Sequence, residues 1–238
     1  SDFTIKDVVT SFQHFKPVSA FRTQFDYDNL LYIVAGEIIA RVSGMSWEQF
    51  VQTRIMEPLQ MNNSFTSQAG MKDKANLAIP HSTSTGKIRT ISLFGDQMVG
   101  AAGGIVSNVD DMSKWMITQL NKGKYGNNGE KQLFAEERQR EMWEIHTVER
   151  ASRNPRYNSH FAGYGLGWGL SDIKGNLNAS HTGGLPGMLS IVTMIPDMKL
   201  GIVILTNTES GGGAAFSAIS RTIIDNYLGL DDFGWIEK

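Results

Sequence analysis

Two nearly continuous apolar runs, Leu189 to Ile195 and Leu200 to Thr206, are separated only by Pro196-Asp197-Met198-Lys199. A strand that alternates polar and apolar residues needs one covered face, whereas a run that is apolar at every position needs two. The short turn-forming linker suits an antiparallel hairpin and cannot hold the crossover that parallel strands require. The pattern predicts a hairpin buried on both faces, with helices over both sides. Ala214 to Leu228 supplies one of them, with Phe216, Ile219, Ile223 and Tyr227 at helical spacing after a flexible Gly211-Gly212-Gly213.

The remainder of the chain divides into a mainly helical region, residues 1–160, and a strand-rich region, 161–238, that carries the hairpin and the last helix. Asp7 to Phe15 reads as a short amphipathic helix stopped by Lys16-Pro17, and Ser19 to Phe25 as an extended piece. Leu30, Val34, Ile38 and Val42 repeat at i+4 beside Leu31, Ala35 and Ile39, so this helix is apolar nearly all round and is expected to be buried; Gly44 ends it. Ser46 with Gln49, and Ser107 with Asp110, read as capping boxes opening two further helices; the second turns Met112, Trp115, Met116 and Leu120 inward. Another helix is expected from about Leu133 to Ile145. The stretch from Asn62 to about Gly100 is irregular and longer than an ordinary connection, as in a wrap or lid bordering a cleft. Tyr164 to Leu170 alternates small and large residues, and Asp172 to Gly175 turns the chain back toward His181. The fold class is α+β, an antiparallel sheet flanked by helices.

Composition removes several function classes. A chain of 238 residues, 41% hydrophobic and 19% charged, has ample material for a core. The net charge of -2, with Lys and Arg scattered, leaves no footprint for nucleic acid. Leu30 to Ala40, the longest apolar stretch, is broken by Glu37 and falls short of the roughly 20 residues of a transmembrane helix. With no Cys there is no thiolate nucleophile or disulfide. His14, His81, His146 and His160 lack metal-ligand spacing, and neither a phosphate loop nor a Gly-x-Ser-x-Gly elbow occurs, so no metal or cofactor is expected.

Tyr27-Asp28-Asn29-Leu30, followed by Ala35-Gly36-Glu37, Val42-Ser43-Gly44-Met45-Ser46-Trp47 and Pro58-Leu59-Gln60-Met61, resembles the class C β-lactamases and penicillin-binding-protein-like serine hydrolases. Gly163-Tyr164-Gly165-Leu166-Gly167-Trp168, His181-Thr182-Gly183-Gly184-Leu185-Pro186-Gly187 and Leu200 to Asn207 continue the likeness in the same order. It implies a β-lactamase/transpeptidase-like fold, incomplete at the N-terminus, and an acyl-enzyme reaction on an ester, amide or β-lactam. It also implies export or a periplasmic location, which the chain itself does not assign. In such enzymes a Ser attacks a carbonyl, and water or another acceptor cleaves the ester formed. The resemblance gives Tyr27 the role of proton shuttle, Asn29 an amide hydrogen bond to substrate, and Thr182 a hydroxyl at the binding edge. Gly183 then leaves room for substrate, and the Gly184 N–H forms half of an oxyanion hole. Taken without the resemblance, Tyr27 reads equally as an aromatic at a helix entrance, Asn29 as a helix-start residue, and the glycines as turn residues.

Two departures stand out. His181 occupies the place of the family's Lys; an imidazole with a reference pKa of about 6.5 is a weaker anchor for a substrate carboxylate than an ammonium. The nucleophile is also missing from its expected place before Tyr27. Ser84-Thr85-Gly86-Lys87 and Ser171-Asp172-Ile173-Lys174 fit Ser-x-x-Lys by letter, but both lie downstream, in an irregular segment and a hairpin. The expectation is a hydrolase whose nucleophile lies outside this chain; the alternative is a non-catalytic module that binds a peptide or cell-wall fragment. A homo-oligomer or a retained N-terminal fragment is expected to cover an exposed sheet edge.

Overall fold

The computed structural model describes residues 4–71, 74–95 and 100–237. Its helices are α1 Ile5–Ser11, α2 Asn29–Ser43, α3 Trp47–Val51, α4 Gly100–Gly103, α5 Val109–Leu120, α6 Glu136–Met142 and α7 Ser210–Tyr227. Its strands are β1 His81–Ser82, β2 Arg89–Thr90, β3 Lys124–Tyr125, β4 Lys131–Gln132, β5 Thr147–Glu149, β6 Ala162–Tyr164, β7 Gly169–Ile173, β8 Asn176–Leu185, β9 Met188–Ile195 and β10 Leu200–Thr206. The chain groups into two units, one made of Ser1–Lys74, Gly95–Gln139 and His146–Glu149, the other of Ala75–Phe94, Arg140–Ile145 and Arg150–Lys238. Residues 72–73 and 96–99 of the irregular stretch lie outside the described residues.

The first unit is built from helices whose ends carry their own signals. Thr4 Oγ1 accepts from Asp7 N at 3.2 Å while Asp7 Oδ2 accepts from Thr4 N at 2.8 Å, a complete capping box. Ser19 to Phe25 is not extended. Thr23 donates both its N–H and its hydroxyl to the Ala20 carbonyl, at 3.1 and 2.7 Å, and Arg22 takes φ 63°. Such local side-chain bonding offers the backbone a turn in place of a strand. Asp28 caps α2 through Leu30 N at 2.8 Å, and Gly44 closes it in the left-handed conformation.

The expected all-round burial of α2 does not hold. Ile33 and Gly36 are buried on the side that meets α3 and α4, whereas Leu31, Ile38 and Val42 are exposed, Val42 to 83%. The outer stripe finds no covering element among the described residues, so helical spacing alone could not tell which apolar positions face inward.

Beyond α3, whose Ser46 cap accepts from Gln49 N at 3.1 Å, the chain widens into a π-helical turn, Gln52–Met56. Val51, Met56, Leu59 and Met61 form a small core there with Trp47, Met112 and Trp115. The cap of α5 is Asn108, bonded to Asp111 N at 3.0 Å, and not Ser107, whose hydroxyl turns to Ser64 at 2.7 Å. Burial works to raise the pKa of Asp111, but bonds from Lys114 Nζ, Asn63 N and the Ser64 hydroxyl outweigh it and hold the group below the usual carboxylate range. The buried carboxylate thereby ties residues 63–64 to the start of α5.

In the second unit β10, β9, β8, β7 and β6 lie side by side, each antiparallel to its neighbour. The β9–β10 hairpin forms where the apolar runs require it, through a 3-10 turn at Pro196–Met198. Met194 and Ile195, adjacent and so on opposite faces, are each 0% exposed, which means that both faces are covered at the turn end. Helix α7 supplies one cover: Ile224 packs with Ile173, Ile195, Leu200 and Ile202. It starts earlier than its sequence spacing implies, taking the three glycines into its first turn. On the other edge of the pair, β10 has no further strand partner among the described residues.

Candidate active site

Strand β8 changes character halfway along. From Asn176 to Ser180 it pairs with β7, and β9 joins its other side from Ala179 onward; from His181 to Leu185 it pairs with β9 alone, because β7 begins at Gly169, opposite Ser180. Thr182, Gly183 and Gly184 are exposed on this overhang. An unpaired strand edge carries backbone donors and acceptors, and an extended substrate can use them.

Three features shape the overhang. His181 is fixed from two sides, with Nε2 2.8 Å from the Tyr164 hydroxyl and Nδ1 2.7 Å from the Thr182 carbonyl. Gly187, at φ 73° after Pro186, makes the β8–β9 turn and packs where a Cβ would lie 2.6 Å from Pro80 Cβ. A Cβ on Gly183 would lie 2.5 Å from the hydroxyl of its cross-strand partner Ser190. A side chain at 183 would therefore oblige the Ser190 hydroxyl to turn aside.

Tyr27 and Asn29 belong to the first unit. Asn29 opens α2, and its Oδ1 accepts from the Tyr27 hydroxyl at 3.3 Å, while the Tyr27 and Tyr32 rings lie 5.8 Å apart. Burial, and after it Tyr32, push the Tyr27 pKa upward. Tyr27 lies beside Asn29 in the first unit, and His181 is followed by Thr182, Gly183 and Gly184 along one strand of the second.

Both Ser-x-x-Lys matches stand on hairpins. Ser84 follows β1 in the turn closed by Gly86 N to Thr83 O at 2.9 Å, and its hydroxyl lies 3.0 Å from that of Ser82, which is bonded to the Glu209 carboxylate. Ser171 sits within β7 and accepts from Asn178 Nδ2 at 3.1 Å, with Lys174 in the following turn. Neither stands at a helix start, where a Lys one turn on would meet the hydroxyl. Tyr164 was missed as a partner of His181; the Gly163-Tyr164-Gly165 motif was the available signal. Among the described residues no group of three His, Asp or Glu could hold a metal, and no single helix is long and apolar enough to cross a membrane.

Residues 2–223 match the family model described as Beta-lactamase. An unguisins hydrolase of Aspergillus campestris is 24% identical over 231 residues, covering 94% of this chain and 41% of its own length. A beta-lactamase of Escherichia coli is 24% identical over 232 residues, 84% of this chain and 56% of its own. This chain thus spans about half the length of these curated relatives. The octameric penicillin-binding protein homologue of Pyrococcus abyssi superposes with a TM-score of 0.79 at 21% identity, over 96% of this chain and 48% of that one, so the two share a fold. With a family match that runs through α2, the β8 overhang and most of α7, the chain belongs to the beta-lactamase family of hydrolases.

Proposed function

We propose that this chain contributes two walls of a serine acyl-transfer site that hydrolyses an ester, amide or β-lactam through an acyl-enzyme. The observation that carries the reading is the β8 overhang, where Thr182, Gly183 and Gly184 lie exposed on a strand edge within a hydrolase family. In the mechanism a nucleophilic Ser, supplied from outside these 238 residues, attacks the substrate carbonyl beside this edge. The Gly184 N–H faces the developing oxyanion, and a backbone donor placed before the reaction lowers the barrier without reorganisation. Thr182 and Gly184 are two residues apart and so present their backbone groups in the same direction. Tyr27 takes the proton released by the attacking Ser hydroxyl as it gives its own to the leaving group, so the phenol is protonated before and after the step, and Asn29 bonds the substrate amide. His181 orients the edge through Tyr164 and takes the place of a permanent cation, which favours substrates without a carboxylate at that position.

The test is covalent labelling followed by intact mass. The 238-residue chain is incubated with a fluorescent penicillin and with an activated ester, beside a form extended upstream to include a Ser-x-x-Lys helix. The extended form is expected to gain one acyl group and the shorter chain none. Labelling of the shorter chain at Ser84 or Ser171 would place the nucleophile inside it. An extended form that binds peptide and is never acylated would make the protein a binding module.

A further inference from the structure

We propose that the loop of residues 150–159 forms a second binding site, for a small organic oxyanion such as a phosphomonoester or a polycarboxylate. The loop borders an open surface concavity of about 510 Å³ whose lining includes Arg150, Arg153, Asn154, Asn158 and Ser159. That volume lies within the range of small-molecule pockets, roughly 300–1,000 Å³, and exceeds what a bare inorganic ion fills.

The charge of the lining is one-sided. Arg150 and Arg153 are exposed, and among the described residues no carboxylate or other acceptor engages either guanidinium. Arg156, in the same stretch, differs: it is paired with Asp225 at 2.9 Å. The neighbouring acid, Asp172, is buried and already accepts from His160 N, His160 Nδ1, Phe161 N and Gly175 N. Two oxygens of the rim are also engaged, since Ser152 Oγ accepts from Asn154 N at 3.3 Å and Asn154 Oδ1 from Arg156 N at 3.0 Å. The lining residues thus include two arginines without a carboxylate partner, and guanidinium forks match the paired oxygens of phosphate and carboxylate.

The site is separate from the β8 overhang. Ser159 Oγ donates to the Asp172 carbonyl at 2.6 Å, and Asp172 stands opposite Leu177. His181 lies four residues further along β8, roughly 13 Å at the rise of a strand.

Titrating the 238-residue chain with inorganic phosphate and with citrate, at ionic strength held constant with chloride, tests this by amide chemical shifts. Saturable shifts confined to residues 150–160 are expected with at least one of the two anions. The double variant R150A/R153A should weaken the response at least about tenfold, and R153K by less. Tighter binding of phosphate would identify a phosphomonoester as the ligand class, and tighter binding of citrate a polycarboxylate. Shifts that fail to saturate, that track ionic strength alone, or that persist in a folded R150A/R153A protein would overturn the proposal. Because the readout is binding, its failure is distinguishable from failure of the hydrolase reading.

Discussion

His181 Nε2 lies 2.8 Å from the Tyr164 hydroxyl, with the two rings edge to face at 5.9 Å. The other ring nitrogen is 2.7 Å from the Thr182 carbonyl, which can only accept a hydrogen bond. In the neutral ring Nδ1 therefore carries the proton, Nε2 accepts, and Tyr164 donates. If the ring gains a second proton, Nε2 becomes a donor and the phenol oxygen can accept it. The pair tolerates either charge state, which a Lys in this place could not offer.

Tyr164→Phe should release the ring while leaving its packing in place. Loss of one hydrogen bond is worth about 1 kcal/mol, enough to change the tautomer ratio several-fold. Imidazole 15N spectra at a pH where the ring is neutral are expected to show the Nδ1–H form falling in share. An unchanged tautomer ratio would mean that Thr182 alone sets the orientation.

Asp172 sets the acid limit of the second unit. Burial works to raise its pKa, but the bonds from the His160 side chain and from His160, Phe161 and Gly175 N–H outweigh this and bring it to about 2, from a model-compound 3.8. A carboxylate lowered in this way stabilises the fold fully above the unfolded value and loses its contribution as pH falls through the folded one. About 2 kcal/mol should therefore disappear between roughly pH 4 and pH 2. Denaturant melts across that window are expected to show the loss, and Asp172→Asn to be much less sensitive to pH there. His160→Ala should cost less than Asp172→Ala, since the latter strands three backbone N–H donors.

Elements whose signals are local were legible in the sequence. The β9–β10 hairpin follows from two apolar runs and a turn, and the cap at Ser46 from residue type. What was misread depends on partners distant in the chain. Ser19 to Phe25 has strand-like composition but no strand beside it, and Leu31, Ile38 and Val42 are apolar without being inward. The site was legible as motifs, and Gly163-Tyr164-Gly165 marked Tyr164, but its place beside His181 follows from the β6–β7–β8 register across the sheet.

The C-terminal residues are held by one buried acid. Asp225 Oδ2 accepts from Arg156 Nε at 2.9 Å and Trp235 Nε1 at 2.6 Å, and Arg156 Nη2 also reaches the Asp231 carbonyl. Removing one partner of a buried ion pair leaves the other charge uncompensated and costs about 3–5 kcal/mol. Arg156→Ala is accordingly expected to destabilise by about 3 kcal/mol, and the Asp225→Asn/Arg156→Ala double variant to recover part of that loss. Urea melts monitored by circular dichroism would measure both; a single variant within about 0.5 kcal/mol of the parent, on the order of a surface substitution, would remove the anchoring role.

The exposed stripe of α2 should make this chain associate. Leu31, Ile38 and Val42 recur at i, i+7 and i+11, so they fall along one side of the helix, and they stand 51%, 55% and 83% exposed. Contiguous apolar area of this kind is rarely left in water by a monomer. The first unit as described covers only the opposite side of the helix, where Ile33 and Gly36 are buried. Sedimentation of the 238-residue chain is expected to show mass rising with concentration, and Ile38→Glu with Val42→Lys to shift it toward monomer without lowering the melting temperature, because neither side chain is in the core. Both substitutions fall on solvent-facing positions of a helix, where a change costs little, within about 0.5 kcal/mol. A chain that stays monomeric at high concentration, or a double variant that associates as strongly as the parent, would show that the stripe does not drive association.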